Sequence, residues 1–254
     1  MMTNVDHIQE QLRKLRLKDM ASHLEAELES AQKERKGYQQ FLGDLLARQL
    51  SAAEERSVQH RILKANLPRG MSFDNFDWAF QPSLNIQLIK DLCTFDFIKN
   101  RNPVMILGRS GTGKTHIATA LGTKACESGY RVKFFTLQKI LSTLYATLAD
   151  NSTDELISKL GRLDLIIIDQ VGYIRTKSDY ASLFLDLVCT CQNRVSIIVT
   201  SNISLDEWGI AIGAPTLISA IIDRLLHKSS IINILNGRNY CTEGPYSPKI
   251  TPVG

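Results

Sequence analysis

At 254 residues the chain is long enough for one sizeable hydrophobic core and a small additional unit. Its content of 44% hydrophobic and 22% charged residues excludes a disordered or fibrous protein. The net charge of +4 permits nucleic-acid binding but does not argue for it.

The sequence shows no sign of a membrane or secreted protein. No apolar run approaches the roughly 18 residues that a membrane-spanning helix needs. The polar, charged amino terminus also lacks the apolar stretch of a signal peptide, so we expect a cytoplasmic protein. The cysteines have neither a CxxC pair nor zinc-ligand spacing, and we interpret them as buried or idle thiols: Cys93, Cys126, Cys189, Cys191 and Cys241.

Residues 5–66 are predicted to be helical throughout, since no proline occurs before Pro68. Apolar residues recur at helical spacing, as in Ile8, Leu12 and Leu15, and charges of both signs fill the gaps. Gly37 marks a break between two helical elements. The following segment, residues 64–78, carries turn formers and is predicted to be a linker, whose aromatic residues pack against the next domain.

From Pro103 onward, short apolar runs alternate with helical patterns. These runs are nearly continuous and rich in β-branched residues, as is typical of strands buried on both faces of a parallel sheet: 103–107, 131–135, 164–168, 195–199 and 230–234. The pattern predicts an α/β domain with five core strands. The tail, residues 237–254, holds three prolines and is predicted to be irregular.

A phosphate-binding motif lies between the first strand and the following helix. Residues 108–115, GRSGTGKT, fit the pattern GxxxxGK[ST]. Successive backbone N–H groups of such a turn converge on an anion only where no side chain blocks the approach, and the helix amino terminus adds partial positive charge. The motif therefore predicts ATP bound by Gly108, Arg109, Ser110, Gly111, Thr112, Gly113, Lys114 and Thr115. Lys114 reaches the β- and γ-phosphates, and Thr115 is a magnesium ligand.

An acidic residue at the end of the third strand completes this prediction. Asp169 follows an unbroken apolar run and is the second candidate for holding Mg²⁺. The next residue is Gln170, where most hydrolytic enzymes of this architecture place a glutamate. A glutamine can orient water but cannot accept its proton, so we expect ATP binding to persist while hydrolysis falls. Gln170 is either natural, in a protein that switches on binding alone, or a substitution that traps the ATP-bound assembly; the intact remainder of the site favours the second.

Two further polar residues are candidates for the catalytic set. Asn202 follows the fourth strand, where it can contact the γ-phosphate or the attacking water, although a simple strand-to-loop turn also explains it. Arg224 lies near the end of a helix. It is either a salt-bridge partner of Asp223 or an arginine finger that reaches a neighbouring subunit's nucleotide.

These residues resemble a known family, the IstB-like transposition helper ATPases, which are relatives of the helicase loader DnaC. The resemblance covers nearly the whole chain, and its more specific motifs are TSN, EWG and DRLLH, at 200–202, 207–209 and 223–227. It implies an AAA+ P-loop fold with strand order 5-1-4-3-2, magnesium-dependent ATPase activity, homo-oligomers with shared active sites on double-stranded DNA, and a cognate transposase as partner. By position, Asn202 matches sensor 1 and Arg224 the arginine finger.

The resemblance also predicts the domains of the chain and the role of each. Residues 1–67 are expected to form a helical domain for assembly, partner or DNA interaction, and residues 68–254 the ATPase domain, with a linker at about 68–80. Two departures from the family pattern are Gln170 and the segment Asn239-Tyr240-Cys241, which stands where relatives have a Ser-Tyr-Arg-like sequence. Arg238 is nearby, but a sensor-2 role does not follow from the sequence.

Basic residues on loops are candidates for contacting DNA phosphates, with weak sequence preference and steep salt dependence: Arg131, Lys133, Lys139, Arg175 and Lys177. Taken singly, each is better explained as a solvated surface charge. Two alternative functions remain. A DnaC-like replicative helicase loader needs a helicase-binding helix, whereas this amino-terminal pattern follows the transposition proteins. A small-molecule kinase needs an acceptor pocket and lid arginines, which the segment after Asp169 does not offer.

Overall fold

The computed structural model describes residues 4–172, 179–234 and 237–243. The chain divides into two compact units, residues 1–60 and 61–254. Within the described ranges, no helix has both the length and the apolar character needed to cross a membrane.

The first unit is built from helices. These are α1 (Asn4–Lys14), α2 (Lys18–Glu34) and α3 (Tyr38–Ala65), whose last turns belong to the second unit. Met20, Leu24 and Leu45 form its small core. The side-chain oxygen of Gln49 accepts hydrogen bonds from the backbone N–H groups of Asp19 and Met20, at 3.1 and 3.3 Å. Gln49 thereby satisfies two donors at the start of α2 that have no partner within the helix.

The continuous helix predicted for residues 5–66 is broken twice. The break at Gly37 lies between α2 and α3, as expected. A second break, between α1 and α2, occurs at Arg16, whose φ of 62° lies in the left-handed region. No glycine or proline marks this turn, so the sequence pattern gave no signal for it.

The second unit is a parallel sheet with helices on both faces. Its strands are β1 (Val104–Gly108), β2 (Val132–Thr136), β3 (Leu165–Val171), β4 (Ser196–Ser201) and β5 (Ser230–Ile234). Its helices are α4 (Ile86–Leu92), α5 (Asp96–Lys99), α6 (Lys114–Glu127), α7 (Leu137–Ala146), α8 (Thr153–Leu160), α9 (Tyr180–Cys191), α10 (Trp208–Ile212), α11 (Pro215–Leu226) and α12 (Tyr240–Glu243). The strand order β2-β3-β4-β1-β5 is the order 5-1-4-3-2 read from the other edge, so the predicted fold is confirmed.

Alternate residues of the strands enter two separate cores. Met105 and Ile168 face the core that contains α7, α9 and α11, whereas Ile106 and Ile167 face the core that contains α6. This alternation follows from the two-residue period of a strand and explains the continuous apolar runs. Phe76, in the predicted linker, is buried in the second of these cores. The linker aromatics therefore pack against the parallel-sheet unit.

Two of the described cysteines, Cys126 and Cys191, are buried thiols. Burial raises the pKa of Cys126 to about 11 and that of Cys191 to about 12, in each case against the opposing effect of a nearby arginine. Cys93 is half-buried and Cys189 is exposed. The buried thiols therefore remain protonated near neutral pH.

The EWG motif has a structural explanation in Trp208. This side chain is fully buried, and its indole N–H donates to the hydroxyl of Ser201 at 3.0 Å. Ser204 and Glu207 form a capping box immediately before it. Together these contacts attach the start of α10 to the end of β4.

We therefore expect Trp208→Ala to lower the free energy of unfolding by about 3–5 kcal/mol, because it leaves a cavity and removes the hydrogen bond to Ser201. Ile210→Ala, on the same helix, is the control: Ile210 is 86% exposed, and its loss should change stability by less than about 0.5 kcal/mol. Urea denaturation followed by far-UV circular dichroism measures both. Equal stabilities of the two variants would contradict the role of Trp208.

Candidate nucleotide-binding site

The predicted phosphate loop connects β1 directly to α6. β1 ends at Gly108, and α6 begins at Lys114. Gly111 and Gly113 have φ values of 74° and 90°, in the region that side chains disfavour. A Cβ on Gly113 would also lie 2.8 Å from a ring carbon of Phe76. Glycine is therefore required at this position both by the backbone and by the packing of the linker.

Lys114 points back onto its own loop. Its ammonium donates to the carbonyl oxygen of Arg109 at 2.6 Å, and 8% of the residue is exposed. Burial lowers the pKa of Lys114, while the charge of Asp169 acts in the opposite direction. An ammonium that has lost solvent favours an anionic ligand, because the negative charge of a phosphate would stabilise the charge that water no longer solvates. Backbone N–H groups of such a loop can add further donors.

Asp169 is the point at which three elements meet. It is 1% exposed. The Thr115 hydroxyl, on α6, contacts its two carboxylate oxygens at 2.9 and 3.1 Å. The Thr200 hydroxyl, on β4, donates to the same carboxylate. Carboxylate and hydroxyl oxygens are ligands that Mg²⁺ accepts, so the pair predicted from the sequence fits this ion chemically.

Gln170 occupies an irregularity in β3. The pairing of β3 with β4 shifts between Ile168 and Val171. Gln170 has a φ of 62°, and its N–H donates to the Thr200 hydroxyl at 3.0 Å. Its side chain is exposed, whereas its neighbours Asp169 and Val171 are buried. The bulge thus turns the side chain of Gln170 out of the sheet and into the cavity that the phosphate loop borders.

Asn202 borders the same cavity. Its side-chain oxygen is buried and has no hydrogen-bond partner among the described residues. The preceding residue, Ser201, is fixed by the indole of Trp208. An unsatisfied buried acceptor at a ligand cavity is the expected state of a group whose partner arrives with the ligand.

The cavity has a volume of about 440 Å³. Its lining includes the phosphate loop with Gln170, Thr200 and Asn202, and also four aromatic rings. The rings are Phe76, Phe80, His116 and Tyr240. None of these four was predicted as a site residue. Phe80 and Tyr240 come from the linker and the tail, and no local pattern connects them.

Arg224 lies at the other end of the sheet. It borders a small cavity of about 60 Å³ together with Pro103 and Val195, which immediately precede β1 and β4. Its guanidinium donates to the carbonyl oxygen of Ala220 at 2.8 Å. The phosphate loop follows the carboxyl end of β1, so Arg224 and Lys114 are separated by the length of the strands. The two are not brought together within one chain.

The predicted DNA-contacting residues that the structure describes do not form one cluster. Arg131, before β2, makes a two-point ion pair with Asp164, at 3.0 and 3.1 Å. Lys133 donates to the carbonyl oxygen of Lys64 at 2.8 Å. Lys139 is exposed on the first turn of α7, beyond the opposite end of β2. Arg175 and Lys177 lie outside the described residues.

Comparison with known proteins identifies the relatives of this arrangement. The family model of the IstB-like ATP binding protein matches residues 10–242. An insertion sequence IS21 putative ATP-binding protein of Pseudomonas aeruginosa is 34% identical over 90% of this chain and 86% of its own length. An IS5376 putative ATP-binding protein of Geobacillus stearothermophilus is 32% identical over 92% and 93%.

Solved structures agree with the fold. The DnaI structure has a TM-score of 0.56 at 15% identity and covers 66% of this chain and 95% of that one. AMPPCP-bound DnaA from Aquifex aeolicus has a TM-score of 0.56 at 21% identity, over 70% of this chain and 54% of the longer DnaA chain. With the family match and the relatives above 30% identity, these findings confirm the resemblance seen in the sequence. The chain belongs to the IstB-like ATP-binding protein family of insertion sequences.

Proposed function

We propose that this protein is an ATPase that oligomerises on duplex DNA in its ATP-bound form and there recruits and stimulates the transposase of its insertion sequence. The observation that carries the proposal is the separation of Arg224 from the phosphate loop. With Arg224 as the arginine finger, a complete site requires two subunits. ATP is then bound at the interface between them.

ATP binding in this proposal uses residues of one chain. The backbone of the phosphate loop and Lys114 hold the phosphates, and Thr115 and Asp169 hold Mg²⁺. The ion supplies charge neutralisation at the phosphate oxygens when it is bound. Asn202 donates its amide N–H₂ to the γ-phosphate or orients the attacking water. The aromatic rings that line the cavity contact the base.

Gln170 sets the fate of the bound nucleotide. Its backbone is held by Thr200, and its exposed side chain borders the cavity, at the position that the family resemblance assigns to the water-activating residue. The amide can hold that water but cannot take its proton. The protein therefore keeps ATP bound for longer than a relative with glutamate would, which prolongs the assembled state.

DNA contact is assigned to basic residues on the assembled surface. Of the described candidates, Arg131 and Lys139 are exposed, and Arg131 is already paired with Asp164. We assign assembly and partner binding to the helical domain, residues 1–67. Four apolar residues of α3 are spaced four apart and are 45–95% exposed, and hence share one side of the helix: Tyr38, Leu42, Leu46 and Leu50. This stripe is a suitable contact surface for the transposase or for another subunit.

We expect Gln170→Glu to raise the steady-state rate of ATP hydrolysis by about 10²–10⁴-fold, because it supplies a general base at an unchanged backbone position. ATP affinity should stay within about twofold, since the side chain is exposed. Phosphate release and fluorescent-ATP titration measure the two quantities. Gln170→Ala is the control and should not gain activity. An unchanged turnover of Gln170→Glu would remove the proposed cause of slow hydrolysis.

The shared site is tested by mixing two inactive variants in the Gln170→Glu background. Lys114→Ala loses its own phosphate contact, and Arg224→Ala loses the contact to its neighbour; each alone should fall by about 10³-fold in hydrolysis. Mixed subunits should recover activity, since an Arg224→Ala subunit can bind ATP that the Arg224 of a Lys114→Ala subunit completes. Recovery that rises with protein concentration supports the proposal. If Arg224→Ala alone retains full activity, the arginine does not serve the site.

DNA assembly is tested by electron microscopy of the protein with duplex DNA. Discrete rings or spirals should form with ATP and be absent without it. If the assembly neutralises about six to ten phosphates, affinity should fall by about 10³–10⁵-fold between 50 and 200 mM salt. Monomers under all conditions, or an affinity insensitive to salt, would contradict this part of the proposal.

A further inference from the structure

The segment Gly237–Glu243, after β5, returns to the phosphate loop. The backbone N–H of Tyr240 donates to the carbonyl oxygen of Gly111 at 2.9 Å. The side chain of Asn239 fills the space beside Gly111, with Oδ1 1.9 Å from where a Cβ on that glycine would lie. The tail thus contacts the loop at Gly111.

The same segment is held from its other side by the linker. Gln81 is 3% exposed. Its side chain donates to the carbonyl oxygen of Arg238 at 2.5 Å and accepts the Arg238 N–H at 3.1 Å. The Phe80 ring packs edge-on against Tyr240, with centroids 4.9 Å apart. A buried amide that pairs with both backbone groups of one residue fixes that residue's position closely.

Arg238 does not serve as a second phosphate-binding arginine in this arrangement. Its guanidinium lies 4.4 Å from the Phe80 ring centroid and pairs with Glu243 at 3.2 Å. It is absent from the lining of the nucleotide cavity, whereas Tyr240 is part of that lining. The segment contributes two groups to the site: the backbone N–H of Tyr240 and the ring of Tyr240.

The hydrogen bond to Gly111 has a direct consequence for the loop. Because a trans peptide is planar, its carbonyl and N–H point in opposite directions. A Gly111 carbonyl held towards Tyr240 directs the N–H of Thr112 away from the segment. Without this hydrogen bond, the peptide between Gly111 and Thr112 would have to adopt this orientation when the anion binds. That ordering would cost conformational entropy.

We propose that residues 237–243 are a positioning element of the nucleotide site. The Tyr240 N–H orients the peptide between Gly111 and Thr112 for phosphate binding, and the Tyr240 ring forms part of the wall against the base. The proposal requires ATP binding by a single chain and is independent of DNA, transposase and oligomerisation.

Two substitutions at one position separate these roles. Tyr240→Ala removes the ring and keeps the N–H. Tyr240→Pro removes both, and proline is tolerated because Tyr240 is the first residue of α12. The probes are MgATP and inorganic tripolyphosphate with Mg²⁺, which has phosphates but no base. Competition against a fluorescent ATP analogue, without DNA, gives both affinities.

Tyr240→Ala should weaken ATP binding by about three- to tenfold, through loss of the ring, and leave tripolyphosphate binding unchanged. Tyr240→Pro should weaken tripolyphosphate binding by a further factor of about three to ten, through loss of one hydrogen bond. Thr242→Ala, an exposed position in the same segment, should match the wild type with both probes. Equal tripolyphosphate affinities of the Pro and Ala variants would overturn the positioning role.

If the thermal midpoint of unfolding of Tyr240→Pro falls by several degrees, weaker binding by that variant could reflect unfolding. Gln81→Ala is then the variant that tests the proposal. It leaves residues 237–243 unchanged and removes the two hydrogen bonds that hold them. Weaker tripolyphosphate binding by this variant supports the proposal. Unchanged binding by a folded Gln81→Ala variant overturns it, because the segment would then have no influence on the loop.

Discussion

A carboxylate that is 1% exposed, as Asp169 is, is costly unless hydrogen bonds replace the water it has lost. The replacement comes from Thr115 and Thr200, on the two elements that flank β3 at this end of the sheet. α6 and β4 must therefore meet β3 at one level, which fixes where the phosphate loop lies. Mg²⁺ chemistry needs the same convergence of oxygens, so the interaction that orders the fold also prepares the site.

The irregularity in β3 follows from this constraint. Thr200 uses its hydroxyl both to donate to Asp169 and to accept the N–H of Gln170. That second bond holds Gln170 at a φ of 62° and replaces a regular ladder contact. The side chain of residue 170 is then free of the core. The stability of the fold therefore does not depend on whether residue 170 is glutamine or glutamate. We expect the difference between the two to affect activity.

The sequence predicted most where burial is continuous. The strands were located within about one to three residues because a strand buried on both faces is apolar throughout. The phosphate loop and Asp169 follow from a motif with a physical basis. The turn at Arg16 was missed because its left-handed residue carries no local signal. The contacts of the tail with the linker and the phosphate loop were missed for a different reason: Gln81 and Arg238 pair across 157 positions, and neither the linker nor the tail pattern indicates the other.

Charge in the cavity connects these features to assembly. Among the residues that line it in the described part of the chain, Lys114 is the one lysine or arginine, whereas Asp77 contributes a carboxylate. A nucleoside triphosphate brings about four negative charges, far more than one ammonium can offset. Backbone N–H groups and Mg²⁺ supply part of the remainder. Arg238 is engaged by Phe80 and Glu243, and among the described residues no lysine or arginine other than Lys114 lines the cavity. In the proposed mechanism, Arg224 of another subunit would supply further positive charge, and nucleotide binding would thereby be coupled to subunit association.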